Sequence, residues 1–114
     1  MTGYLTTHVL DTARGLPAKG MQIDLHRISE AGREHITTVT TNDDGRTDSQ
    51  ILPAADFATG DYELTFHAGP YLIATGNPDT FLDIIPIRFR MSEAAHYHVP
   101  LLLSPFSYST YRGS

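Results

Sequence analysis

Apolar residues in this chain recur at every second position, in short runs broken by glycine, proline, asparagine or aspartate. That period matches a strand with one buried face and does not match a helix. In Tyr4–Asp11, Leu5, Thr7 and Val9 point one way, and Tyr4, Thr6, His8 and Leu10 point the other. Met21–Ile28 repeats the pattern, with Met21, Ile23 and Leu25 set against Gln22, Asp24 and His26. Ser29–Arg33 then turns around Gly32, and the β-branched segment His35–Thr41 reads as the hairpin partner. Asp61–His67 directs Tyr62, Leu64 and Phe66 inward, and Ile84–Phe89 is a further strand whose Pro86 suggests an edge or a bulge. Tyr97–Leu103 and Ser107–Tyr111 complete the set, while Thr12–Gly20 reads as a loop. Gly69–Asn77 fits a short helix closed by Gly76-Asn77-Pro78. Seven or eight short strands with frequent turns and at most one helix predict an all-β fold, an antiparallel sandwich.

Composition narrows the chemistry. A chain of 114 residues fits one domain spanning 1–114 and buries enough surface for a core without staples. It has no cysteine, which removes disulfides, thiolate metal sites and thiol nucleophiles. Thirteen acidic and eight basic residues give a formal charge of −5, so no basic stripe is available for nucleic acid. Met1–Leu10 lacks a basic region followed by an apolar run, and no apolar stretch nears the roughly 20 residues that span a bilayer. The expectation is a soluble cytoplasmic protein with neither nucleic-acid nor membrane partners.

The reactive residue types gather towards the end, between His96 and Ser114. His96 and His98 are two apart, so a strand puts both imidazoles on one face. Such a pair on a solvated face can be incidental. It can instead contribute to a zinc or copper site, with His8 as a third ligand. It can also serve acid–base chemistry, because histidine titrates near neutral pH. The other three histidines, His26, His35 and His67, have no reactive neighbours at useful spacing and read as solvated or hydrogen-bonded surface residues. In Thr41–Asp48, Asp44-Gly45 signals a tight turn, and Arg46 follows directly, so the turn determines where its guanidinium starts. Tyr111 and Arg112 lie near the end, and a chain ending at Ser114 would add a carboxylate beside them.

Three stretches together carry a resemblance. These are Leu5-Thr6-Thr7-His8-Val9-Leu10-Asp11 with Gly15-Leu16-Pro17-Ala18, the turn Asp43-Asp44-Gly45-Arg46, and His96-Tyr97-His98-Val99-Pro100-Leu101-Leu102-Leu103 through Tyr111-Arg112-Gly113-Ser114. They closely resemble the 5-hydroxyisourate hydrolases, also called transthyretin-related proteins, from end to end. One departure falls at Phe81–Pro86, where the Phe-Pro pair of that family is absent.

The resemblance implies a transthyretin-like sandwich of two four-stranded sheets, with one short helix between the fifth and sixth strands. It implies a homotetramer with active sites at the dimer–dimer interface. The implied reaction opens the six-membered ring of 5-hydroxyisourate to 2-oxo-4-hydroxy-4-carboxy-5-ureidoimidazoline, a hydrolase step in urate degradation and purine metabolism, with no cofactor and no metal. Carried over position by position, the catalytic residues fall on His8, Arg46 and His98. Substrate contacts fall on His8, Arg46, His96, Tyr111 and Ser114. The tail is expected to lie as a strand against the first one. Two further readings compete: a carrier of aromatic ligands like transthyretin, and a zinc protein using His8, His96 and His98.

Overall fold

The alternation in the sequence becomes the pleat of two stacked sheets. In the computed structural model, which describes residues 2–113, the chain runs through β1 (Tyr4–Asp11), β2 (Leu16–Pro17), β3 (Gln22–Ser29), β4 (Gly32–Thr40) and β5 (Gly60–His67). It continues through α1 (Ala68–Ala74), β6 (Ile84–Met91), β7 (His96–Ser104) and β8 (Ser107–Thr110). A single 3₁₀ turn, Ala54–Asp56, interrupts the connection between β4 and β5. One sheet has the order β2-β1-β7-β8 and the other β4-β3-β5-β6. This is the two-by-four arrangement expected, with the helix between the fifth and sixth strands.

Three local expectations need correction. The sandwich is not wholly antiparallel, because β1 and β7 run parallel, with Tyr4 opposite His96 and Thr6 opposite His98. A parallel pair needs a long crossover, and here the whole second sheet supplies it, which period-2 patterning alone cannot reveal. The segment Thr12–Gly20 is not all loop, since Leu16 and Pro17 pair back onto Asp11 and Leu10. The last strand lies against β7 rather than the first strand, pairing Thr110 with Leu101 and Tyr108 with Leu103.

The core lies between the sheets. Leu5 and Val9 from β1, Val99, Leu101 and Leu103 from β7, Ile23 and Leu25 from β3, and Tyr62, Leu64 and Phe66 from β5 are all buried. Each fully buried aliphatic or aromatic side chain contributes about 1.5–3 kcal/mol relative to exposure. Pro86 sits on β6, an edge strand, where a missing N–H costs no ladder bond. The helix ends in crossed backbone bonds, Gly76 N–H to Ile73 and Asn77 N–H to Leu72, at the stop read from the sequence. Among the described residues, no helix is long and apolar enough to cross a membrane.

Two polar links hold this core to the elements that carry function. Asp11, at the inner end of β1, is buried and accepts hydrogen bonds from the Tyr71 hydroxyl of α1 (2.8 Å) and the Arg14 N–H (3.1 Å). Burial and the adjacent Asp11 carboxylate push the Tyr71 phenol up to about 12, so it remains a donor. The second link is the turn after β4. Gly45 adopts φ +74°, its carbonyl accepts from Val9 N–H (2.8 Å), and a Cβ there would collide with the Val9 carbonyl oxygen.

Both links can be tested by substitution. Tyr71→Phe leaves a buried carboxylate oxygen without its donor and should lower unfolding free energy by about 1–3 kcal/mol in urea titration. Gly45→Ala meets both a left-handed backbone and a backbone clash. It should destabilise by more than about 1 kcal/mol and lower the thermal midpoint, measured by circular dichroism.

Candidate active site

Because β1 and β7 are parallel neighbours in register, their outward residues form one surface. Tyr4, Thr6, His8 and Leu10 alternate with the buried residues of β1, and His96, His98, Pro100 and Leu102 stand beside them on β7. The Thr6 hydroxyl lies between the two β7 imidazoles, 2.7 Å from His96 Nε2 and 2.8 Å from His98 Nδ1. His96 stacks on the Tyr4 ring with centroids 4.2 Å apart and planes 10° apart.

The turn after β4 brings the guanidinium. The Asn42 side-chain oxygen accepts from Asp44 N–H (2.9 Å) and Arg46 N–H (3.2 Å), while Asn42 N–H donates to the Arg46 carbonyl (2.8 Å). Together with the Gly45–Val9 bond, these contacts fix the start of Arg46 beside β1. The turn also engages His8, whose Nε2 lies 2.9 Å from the Asp44 carbonyl oxygen. A carbonyl only accepts, so His8 carries its proton on Nε2, and neutral His8 has its lone pair on Nδ1.

Between these elements lies a cleft of roughly 540 Å³, lined by Arg46, His96, His98 and Thr6 together with Asp48 and Gln50 of the following loop. His98 is held below the ordinary histidine value by burial and by the positive charge of Arg46, His96 and His8. His8 is also lowered, by burial and then by Arg46, against the opposing pull of the Asp44 carbonyl. In both, the shift favours the neutral form that can accept a proton.

The tail reaches this site through backbone. Gly113 N–H donates to the His98 carbonyl (2.7 Å), and a Cβ on Gly113 would stand 2.5 Å from His98 Cδ2. The imidazole thus packs against a residue that must lack a side chain. Tyr111 is not brought to the cleft within one chain. It is exposed, in a separate groove of roughly 300 Å³ with Phe89, Tyr97 and Arg112, and the Arg112 guanidinium lies 4.4 Å over the Tyr97 ring. Ser114 lies outside the described residues.

Sequence reasoning therefore found His8, Arg46, His96 and His98, which the fold gathers, and missed Thr6 and Gly113. Thr6 shares the outward face of His8, but its place between two imidazoles follows only from the β1–β7 register. The zinc reading finds no support in the geometry. Among the described residues, no three His, Cys, Asp or Glu side chains are grouped to hold a metal ion. His26, His35 and His67 all lie on the other sheet, as surface residues held by hydrogen bonds. His67 Nε2 meets Asp24 at 2.8 Å, and His35 Nε2 donates to Thr38 (2.8 Å), whose hydroxyl donates to Asp24 (2.7 Å).

The likeness to known proteins is extensive. Residues 5–113 match the HIUase/Transthyretin family. The chain is 58% identical to the 5-hydroxyisourate hydrolase of Mesorhizobium japonicum, over 98% of this chain and 93% of that one. Among solved structures, (S)-allantoin synthase superposes with a TM-score of 0.91 at 46% identity; the match covers 99% of this chain and only 44% of that longer one. The 5-hydroxyisourate hydrolase of Klebsiella pneumoniae superposes with a TM-score of 0.84 at 35% identity, covering 98% of this chain and 99% of that one. With the fold, the cleft and these matches in agreement, the chain belongs to the HIUase/Transthyretin family.

Proposed function

We propose that this protein is a hydrolase that opens the six-membered ring of 5-hydroxyisourate in urate degradation, at the cleft between β1, β7 and the loop after β4. The observation that carries this reading is one cleft lined by both the His98 imidazole and the guanidinium of Arg46. Relatives that bear the same activity in their names, at high identity over nearly the whole chain, support it.

Ring opening attacks a carbonyl carbon bonded to a ring nitrogen. Water loses a proton as its oxygen bonds to that carbon, the carbonyl oxygen gains negative charge, and the nitrogen takes a proton as the C–N bond breaks. His98 is assigned as general base. It lines the cleft, and its Nδ1 is engaged by Thr6, leaving Nε2 as the nitrogen to face water. Arg46 is assigned to bind the substrate's oxygens and stabilise the developing charge, since its planar fork suits adjacent carbonyls. His8, tied by Nε2 to the turn that carries Arg46, orients that turn and contacts substrate from Nδ1. The chemistry needs no metal or cofactor.

The assembly in this reading is a homotetramer with the sites at the dimer–dimer interface. The outward face of β1 and β7 supports it, carrying the half-buried Leu10 and Leu102 among the imidazoles, as do the open edges of β6 and β8. Tyr111 belongs to the site as a substrate contact only in that assembly, and Ser114 is assigned as a further substrate contact. A cytoplasmic location accords with it. A carrier of aromatic ligands fits less well, because threonine, aspartate, serine and glutamine line much of the cleft, where such pockets are mainly apolar.

The direct test is loss of freshly made 5-hydroxyisourate above its spontaneous decay, followed by stopped-flow ultraviolet absorbance. His98→Ala and Arg46→Ala should each lower kcat/KM by about 10²–10⁴ while leaving the thermal midpoint nearly unchanged. Near-wild-type turnover in either variant would remove that residue from the mechanism. The pH profile has a defined sign. His98 must be neutral to act, and its value lies below the ordinary 6.5. Activity should therefore fall on acidification, with half-activity on the acid side of 6.5, and reach a plateau at higher pH. A midpoint at or above 6.5 would contradict the assignment.

A further inference from the structure

We infer that Thr6 and His96 are positioning residues for His98, a hydroxyl-bridged imidazole pair that sets the tautomer of His98 and shares the proton it takes. This rests on the geometry for the hydroxyl shared by the two rings, and on the hydrolase reading for which ring donates to it and for the catalytic consequence.

The argument starts from the count of protons. The Thr6 hydroxyl has one hydrogen and lies within hydrogen-bonding distance of two imidazole nitrogens, His96 Nε2 at 2.7 Å and His98 Nδ1 at 2.8 Å. The hydroxyl has a single hydrogen, so it donates to one nitrogen at most. With one nitrogen donating and the other accepting, the hydroxyl and both rings satisfy one another with no further partner. If Thr6 donates to His98 Nδ1, the His98 proton sits on Nε2 and the ring cannot take one from water facing Nε2. If Thr6 donates to His96 Nε2, His98 carries Nδ1–H and presents a bare Nε2. Only the second arrangement makes His98 a base toward the cleft. It is also the only one that survives protonation of His98, because the imidazolium must still donate from Nδ1. The site then needs no reorganisation during the proton transfer.

The same chain can carry charge. A proton passes from water to His98 Nε2, the Nδ1 proton passes to Thr6 Oγ1, and the Thr6 proton passes to His96 Nε2. His98 is then neutral with Nε2–H, and His96 is the imidazolium. Reversal returns a proton through the same atoms, from His98 Nε2 to the leaving ring nitrogen, so every proton is accounted for. The ring that receives the charge is the one stacked on Tyr4, 4.2 Å between centroids, and an aromatic face favours a cation. The groups facing the pair are Arg46 and His8, which oppose charge on His98, along with Asp48 of the cleft wall and Tyr4. The packing of Gly113 against His98 Cδ2 fixes the ring plane and keeps Nδ1 on Thr6.

The test compares wild type, Thr6→Val and Thr6→Ser. Valine preserves shape and strand preference, and circular dichroism checks that the variant folds. Nitrogen-15 chemical shifts of the imidazoles read the tautomers without any turnover. His98 should be Nδ1-protonated in wild type and Thr6→Ser, and should change to Nε2-protonated in Thr6→Val. In the 5-hydroxyisourate assay, Thr6→Val should lose on the order of 10²-fold in kcat, the lower end of general-base catalysis, with KM within about twofold. Its acid limb should move to lower pH, because the His98 imidazolium loses its Nδ1 acceptor. The dependence of rate on the deuterium fraction of the solvent should change from curved to linear, and serine should restore both rate and curvature. An Nε2-protonated His98 in wild type overturns the inference, as does a Thr6→Val enzyme with unchanged kcat and pH limb. A wild-type protein without turnover would overturn the hydrolase reading instead, and the tautomer measurement would then decide the lock by itself.

Discussion

The parallel pairing of β1 with β7 is the constraint on which the rest of the site depends. It joins the first strand to one near the end of the chain, with the entire second sheet as the intervening crossover. In this register Thr6 meets His98 and Tyr4 meets His96, while His8 stands one pleat further along. A slip of one residue in either strand would turn that strand's share of these groups into the core. The register is secured from the inner face, where Leu5, Val9, Val99, Leu101 and Leu103 are buried, and where the Thr7 hydroxyl donates to the Val99 carbonyl at 2.8 Å. The hydrophobic core thus aligns the polar outer face without touching it.

The second constraint is the junction of the 42–46 turn with β1. Gly45 comes so close to Val9 that the turn has little freedom to move, and the Val9 carbonyl accepts from Ala18 N–H on the other side. Arg46 is exposed, but it begins at a point fixed to the strand that holds His8 and Thr6. Burial, and then the Arg46 charge, hold both imidazoles below the ordinary histidine value, so the cation bound for substrate oxygens also helps to ready the base.

The two sheets use the same residue types to opposite effect. On the outer face of the second sheet, Asp24 sits between His67 and Thr38, and these hydrogen bonds hold its carboxyl below the usual range despite its partial burial. A carboxylate that holds an imidazole by a hydrogen bond ties the ring in place and serves structure. On the first sheet, a hydroxyl occupies the corresponding place between His96 and His98, and the nearby charge on His98 is positive. A hydroxyl leaves the ring neutral and able to exchange protons. The partner of each histidine, more than the histidine itself, separates a reactive imidazole from a structural one.

Period-2 alternation, set by the pleat, was enough to place the longer strands and their buried faces, and Gly76-Asn77-Pro78 marked the stop of the helix. The Asp44-Gly45 turn was legible because its backbone demands a residue without a side chain, and the outward face shared by His96 and His98 followed from spacing alone. Strand partners were not legible. Alternation says which face is buried but not which neighbour lies alongside, so the parallel β1–β7 pair, the pairing of β2 and the attachment of β8 to β7 came only with the folded chain. Thr6 and Gly113 were hidden for the same reason, since their importance lies in contacts made across about ninety residues for one and across a strand edge for the other. Local chemistry determines what each segment can offer; packing of the two sheets decides which offers meet.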